Sequence, residues 1–171
     1  AQLGAVLGRE FTYEMLQALA TVEEPVLLEG LRRLVEHELL YQRGRPPRSK
    51  YIFKHALTRE VVYNSILARR QKELHNEIGM TIEQLYNHNL HDYYGILAEH
   101  FINSESYDKG AKYCRLAGKK AEKAASFEDA IAYTRKRIQC LENLPSKEDL
   151  LARIIDARSS LGLYMFQMYY F

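Results

Sequence analysis

Apolar residues recur along this chain at helical spacing almost from end to end, with one interruption. Leu3, Val6 and Leu7 form a short stripe that Gly8 ends. Thr12 stands where it would cap a second helix, with Glu14 next and Met15, Leu16 and Leu19 as the apolar set. Pro25, preceded by Glu23 and Glu24, opens a third helix in which Leu27, Leu31, Leu34 and Val35 share one face. The period then changes. Tyr51 and Phe53 alternate with Ile52 and Lys54, as a half-buried strand requires, and Gly44, Pro46 and Pro47 exclude a helix just before them. The stretch from Leu39 to His55 therefore predicts a β-hairpin with a proline-stiffened tip, RGRPPRS.

Three helices followed by a hairpin is the order of a winged helix. After His55 the helical period returns and stays. Thr58 is placed to cap a helix carrying Val61, Val62 and Ile66, and a longer helix follows with Leu74, Ile78, Ile82 and Leu85. Gly79 inside that helix costs about 1 kcal/mol relative to Ala. The polar run NHNLHD breaks the pattern, and a helix from Tyr93 to Asn103 carries Leu97, Ala98 and Phe101. Two later helix openings repeat each other. Tyr107, Gly110 and Tyr113 match Phe127, Ala130 and Tyr133 as aromatic, small, aromatic, offset by 20 residues. Small residues let helices approach closely while aromatics fill the flanking grooves, which is how helical-hairpin repeats bury their faces. Phe127, Ala130, Ile138 and Pro145 fit the second helix of a tetratricopeptide repeat, whereas Thr134 and Arg137 stand where an aromatic and a small residue are usual. The expected fold is mostly α: a winged-helix unit over 1–55, connector helices over 56–90 and a truncated tetratricopeptide-like array over 91–171.

Composition supports that picture and narrows the function. Of 171 residues 47% are hydrophobic and 27% charged, a globular balance. Net charge is only +2, which argues against general coating of nucleic acid. Cys114 and Cys140 form no CxxC pair, so a reducing, cytoplasmic setting is expected. The apolar C-terminal run LGLYMFQMYYF spans 11 residues, whereas a bilayer span needs roughly 20. Both ends read as cuts in a longer protein. The aromatic tail, Tyr164, Phe166, Tyr169, Tyr170 and Phe171, is expected to fold back or to mediate homodimerisation.

Sites for chemistry are sparse. Gly4 and Gly8 are followed by Arg9 and Glu10 rather than by the Lys-Ser/Thr pair that holds phosphates. Ser49, Ser65, Ser104 and Ser126 lie in no GxSxG context. His88 and His91, with His100 nearby, are the best metal candidate, but no Cys or carboxylate joins them on a helical face. His37, His55 and His75 read as packed or capping residues. The expectation is a chain with no catalytic residue, metal or cofactor. Two basic stretches remain as contact surfaces for a protein partner or a phosphate. The hairpin brings Arg43, Arg45, Arg48, Lys50 and Lys54 together with no acid among them. Its neighbour, the third helix, carries Glu29, Glu36 and Glu38 beside Arg32 and Arg33, which would repel a DNA backbone. The second stretch holds Lys109, Lys112, Arg115, Lys119, Lys120 and Lys123, of which Lys112, Lys119 and Lys123 share a face fit for an acidic protein surface.

Three motifs carry a resemblance. They are Gly8-Arg9-Glu10-Phe11, Phe53-Lys54-His55-Ala56-Leu57, and Arg69-Arg70 followed by Leu74-His75 and Ile78. Over about residues 1 to 125 the chain resembles the region that follows the ATPase core in large STAND-type signalling ATPases. Many of these carry a class III adenylyl or guanylyl cyclase domain upstream; others carry a kinase or a DNA-binding domain. The resemblance implies a winged helix that packs on the ATPase core and helps hold a nucleotide-bound off state. It also implies helical repeats that take input from a partner or ligand. By position either His37 or His55 could be the nucleotide-contacting histidine of related winged helices. Gly79 departs from the Ala often found there. The expected role is regulatory and protein-binding; the rival is a DNA-binding segment of a transcription regulator.

Overall fold

A computed structural model describes residues 1–145 and 149–170. The protein is mostly helical with one small antiparallel sheet, and it divides into two compact units, Ala1–Gln84 and Leu85–Phe171. Phe171, the last residue of the expected aromatic tail, lies outside the described residues.

The first unit runs α1 (Gln2–Leu7), β1 (Glu10–Thr12), α2 (Tyr13–Leu19), α3 (Glu24–Glu36), β2 (Leu40–Arg43), β3 (Lys50–Phe53), α4 (Ala56–Asn64) and α5 (Ala68–Leu85). Thr12 caps α2 as expected, its Oγ1 accepting from the Met15 N–H at 3.2 Å. Pro25 occupies the first turn of α3. The hairpin forms with Leu40 opposite Phe53 and Gln42 opposite Tyr51. Gly44 turns it at φ 80°, where an added Cβ would lie 2.7 Å from the Arg48 carbonyl oxygen.

One strand was not expected. Glu10–Thr12 pairs with β3, Phe11 opposite Tyr51, so the sheet has three strands in the order β1-β3-β2. Three residues are too few to display alternation, and the strand exists because β3 offers it a partner. Phe11, Tyr51, Phe53 and Leu40 then turn one sheet face onto Ala5, Leu16 and Leu31. Phe11 and Tyr51 stack with centroids 5.9 Å apart. Tyr13, fully buried, donates from its hydroxyl to Glu24 at 2.7 Å, and burial followed by that carboxylate pushes its pKa up to about 12.

The expected cap of α4 needs correcting. That helix starts at Ala56 with His55 as its N-cap, so Thr58 lies inside it. Val61 is exposed, while the Arg59 Nε–H reaches the Ala5 carbonyl at 2.9 Å and ties α4 to α1. Helix α5 runs unbroken through buried Gly79 and buries Leu74, Ile78 and Ile82, although Leu85 at its end is exposed.

The second unit is a helical array. The run NHNLHD that breaks the pattern forms a 3-10 turn, kinked at Asn89. There follow α6 (Tyr94–Asn103), α7 (Tyr107–Lys123), α8 (Phe127–Glu142) and α9 (Leu150–Tyr170). The aromatic–small frame accounts for how these helices meet. A Cβ on Gly110 would lie 3.1 Å from Cys140 Sγ and 3.3 Å from Ile102 Cγ1, so α7 sits close to both neighbours there. Tyr113 is fully buried and stacks on Phe101 at 5.6 Å, and Ala130 is fully buried in α8. The turns repeat as well: Glu105 at φ 61° and Ala125 at φ 55°, again 20 residues apart, reverse the chain after α6 and α7. Cys114 and Cys140 are buried and unbridged, within hydrogen-bonding reach of each other across α7 and α8. Among the described residues no helix is long and apolar enough to cross a membrane.

Candidate functional site

The basic hairpin tip joins edge strand β2 to central strand β3 in the first unit. Arg43, Arg45 and Arg48 are exposed there and make no hydrogen bond or ion pair among the described residues. The other two cations of the stretch are committed. Lys50 pairs with Glu10 at 3.1 Å, and Lys54 pairs with Glu38 while standing 5.6 Å from the Tyr41 ring centroid. On α3 the guanidinium of Arg32 grips Glu29 with both Nε and Nη2 at 2.8 Å and also pairs with Glu36. Arg33 adds a third bond to Glu29 at 2.9 Å. These two arginines hold the Glu29 carboxyl well below its ordinary range, at about 2. The exposed face of α3 is therefore neutralised within itself, which opposes binding of a phosphate backbone there.

Beside α3 lies an apolar groove of about 560 Å³, lined by Leu16, Leu19, Val22, Val26 and Leu27 among others. Val22 and Val26 are half exposed in it.

The histidines do not assemble. His88 and His91 are exposed on the 3-10 turn, whereas His100 is buried on α6. Among the described residues no group of three or more His, Cys, Asp or Glu could hold a metal. His37 is the C-cap of α3. His75 is buried on α5, its Nε2 3.0 Å from the Tyr63 hydroxyl, and burial, then the charge of Arg59, lowers its pKa to about 4.

In the second unit the cations of α7 separate by their place on the helix. Lys120 is tied to the His91 carbonyl at 2.9 Å and to Asp92 at 3.1 Å. Lys123 is exposed in the last turn, where its charge suits the helix dipole. Lys112 lies 5.0 Å from the Tyr113 ring centroid and, with Arg115, lines a groove of about 750 Å³ between α7, α8 and α9. Lys119 lines an adjoining smaller cavity. Lys112 and Lys119 thus line adjoining cavities, and Lys123 lines neither. Arg137 of α8, which the helical pattern marked only as a departure from repeat consensus, lines both. Arg153 of α9 also lines the groove and pairs with Asp108 at 2.9 Å.

The C-terminal aromatics divide in two. Tyr164 is buried and donates to Glu122 at 2.9 Å; burial, then that carboxylate, pushes its pKa up to about 12. Phe166, Tyr169 and Tyr170 stay exposed.

No protein-family model matches this chain, and no solved structure matches it. An uncharacterized protein of Rhizobium meliloti (strain 1021) is 23% identical over 163 residues. That match covers 95% of this chain and 16% of the relative, so the chain spans about a sixth of the length of the curated protein it matches.

Proposed function

We propose that this chain is a non-catalytic regulatory and protein-interaction segment of a multidomain signalling ATPase or nucleotide cyclase. It would couple the sensing of a partner or ligand to the ATPase core. The groove of about 750 Å³ across α7, α8 and α9 carries this reading, because its lining includes Lys112 and Arg115, two cations with no ion-pair partner among the described residues. Stacked helices present such surfaces to peptides and domains. The helix–strand–helix–helix–hairpin order of the first unit supports a winged helix. The far greater length of the relative supports a place within a larger chain. The reading assigns the segment to the cytoplasm, in keeping with its two unbridged thiols. It assigns no cofactor.

The test is ATP turnover by the parent chain with residues 85–171 present and deleted. Turnover that changes several-fold on deletion is the expected result; unchanged turnover overturns the proposal. A second reading, a DNA-binding segment of a transcription regulator, draws on the three unpartnered arginines of the hairpin tip. It requires duplex affinity that falls steeply with salt and is lost in Arg45→Glu/Arg48→Glu. The self-neutralised face of α3 favours the first reading.

A further inference from the structure

The two departures from repeat consensus, Thr134 and Arg137, are also the two buried polar residues of α8. Arg137 is only 7% exposed, and its Nη2 donates to Asp156 Oδ2 at 2.8 Å. A guanidinium placed that deep is costly unless anions surround it. Here the surroundings are mostly positive. A cavity of about 50 Å³ is lined by Arg115, Lys119, Thr134, Arg137, Asp156 and Ser160 among others, so three cations face one carboxylate. Arg115 and Lys119 make no hydrogen bond or ion pair among the described residues, yet both lie near enough to Asp156 to help Arg137 hold its carboxyl below the usual range. The hydroxyls are already committed: Thr134 donates to the Ala130 carbonyl and Ser160 to the Asp156 carbonyl. Arg115, Arg137 and Asp156 belong to this cavity and to the 750 Å³ groove alike, so the two adjoin.

Building on the protein-interaction reading, we propose that the groove takes an extended acidic peptide segment of a partner protein and seats one of its Asp or Glu carboxylates among Arg115, Lys119 and Arg137. Guanidinium forks match a planar carboxylate with paired charge-assisted bonds. The cavity of about 50 Å³ opens beside the groove, where a side-chain carboxylate of a bound peptide can reach it. The attraction comes from the small cavity, where three cations meet Asp156 alone, whereas along the groove Lys112, Arg115, Arg137 and Arg153 face Asp108, Asp149 and Asp156; burial of Arg137 shields its charge from salt.

The test titrates the full chain with a blocked octapeptide of alternating Glu and Ala, its Gln and Ala counterpart, and inorganic phosphate. The acidic peptide should bind at least tenfold more tightly than the other two. Arg115→Gln/Lys119→Gln should weaken it at least tenfold with unchanged circular dichroism, and Lys123→Gln, outside the groove, by less than twofold. Equal binding of the Gln peptide, tighter binding of phosphate, or equal loss in the Lys123 variant overturns the proposal. If peptide binding fails while ATP turnover of the parent chain still depends on residues 85–171, the carboxylate site falls and the regulatory reading stands.

Discussion

Ala125 and Glu105 hold left-handed backbone, with φ of 55° and 61°, in the two turns that reverse the array. A non-glycine residue pays roughly 1–2 kcal/mol there, and glycine returns about 0.5–1 of that through its looser unfolded state. Ala125→Gly is therefore expected to raise stability by about 0.5 kcal/mol in urea unfolding. At His75 the effect runs through protons. Its folded pKa of about 4 lies below the ordinary 6.5, so the unfolded chain takes up the proton first. Stability should be level above pH 6.5 and fall as pH drops from there toward 4, while His75→Leu should flatten that slope in melts followed against pH. Both sites show the limit of residue-level reading. His75 was legible as a packed histidine because it shares the face of Leu74 and Ile78, but its Tyr63 partner is 12 residues away and on another helix. Arg137 was legible only as an exception, since a buried charge has no signature of its own until its neighbours are known.

Among the elements, the helices obey their periodicity and the strands obey their partners. Gly30 and Gly110 are both helical glycines, yet a Cβ meets nothing within 4 Å at Gly30 and crowds Cys140 and Ile102 at Gly110. Gly30→Ala should stabilise by about 1 kcal/mol from propensity alone. Gly110→Val should destabilise by about 1–3 kcal/mol through overpacking, read in the same unfolding experiment. The repeat frame foretold the close approach at Gly110, because aromatic and small residues alternated at a fixed offset. It did not foretell β1, whose three residues carry no period. For α3, the sequence showed carboxylates beside arginines, but only the structure shows them paired, with bidentate geometry at Arg32 and Glu29. Glu29→Gln should release Arg32 and Arg33 and raise affinity for duplex DNA several-fold at low salt, measured by fluorescence anisotropy.

At the scale of the whole molecule, a net charge of +2 conceals two separate concentrations of cations, one in each unit. Peptide binding at the α7–α9 groove should therefore lose less affinity between 50 and 200 mM salt than any DNA binding by the hairpin tip, because its central arginine is buried. The mostly helical fold, the hairpin and the helical array were determined by the sequence itself. Apolar spacing, prolines and glycines act over a few residues, and burial of the resulting faces leaves few alternatives. The third strand, the separation of Lys112 and Lys119 from Lys123, and the convergence of Arg115, Lys119 and Arg137 were decided only by tertiary structure. Those depend on which helix turns which face toward which neighbour, and electrostatic neighbours in space need not be neighbours along the chain.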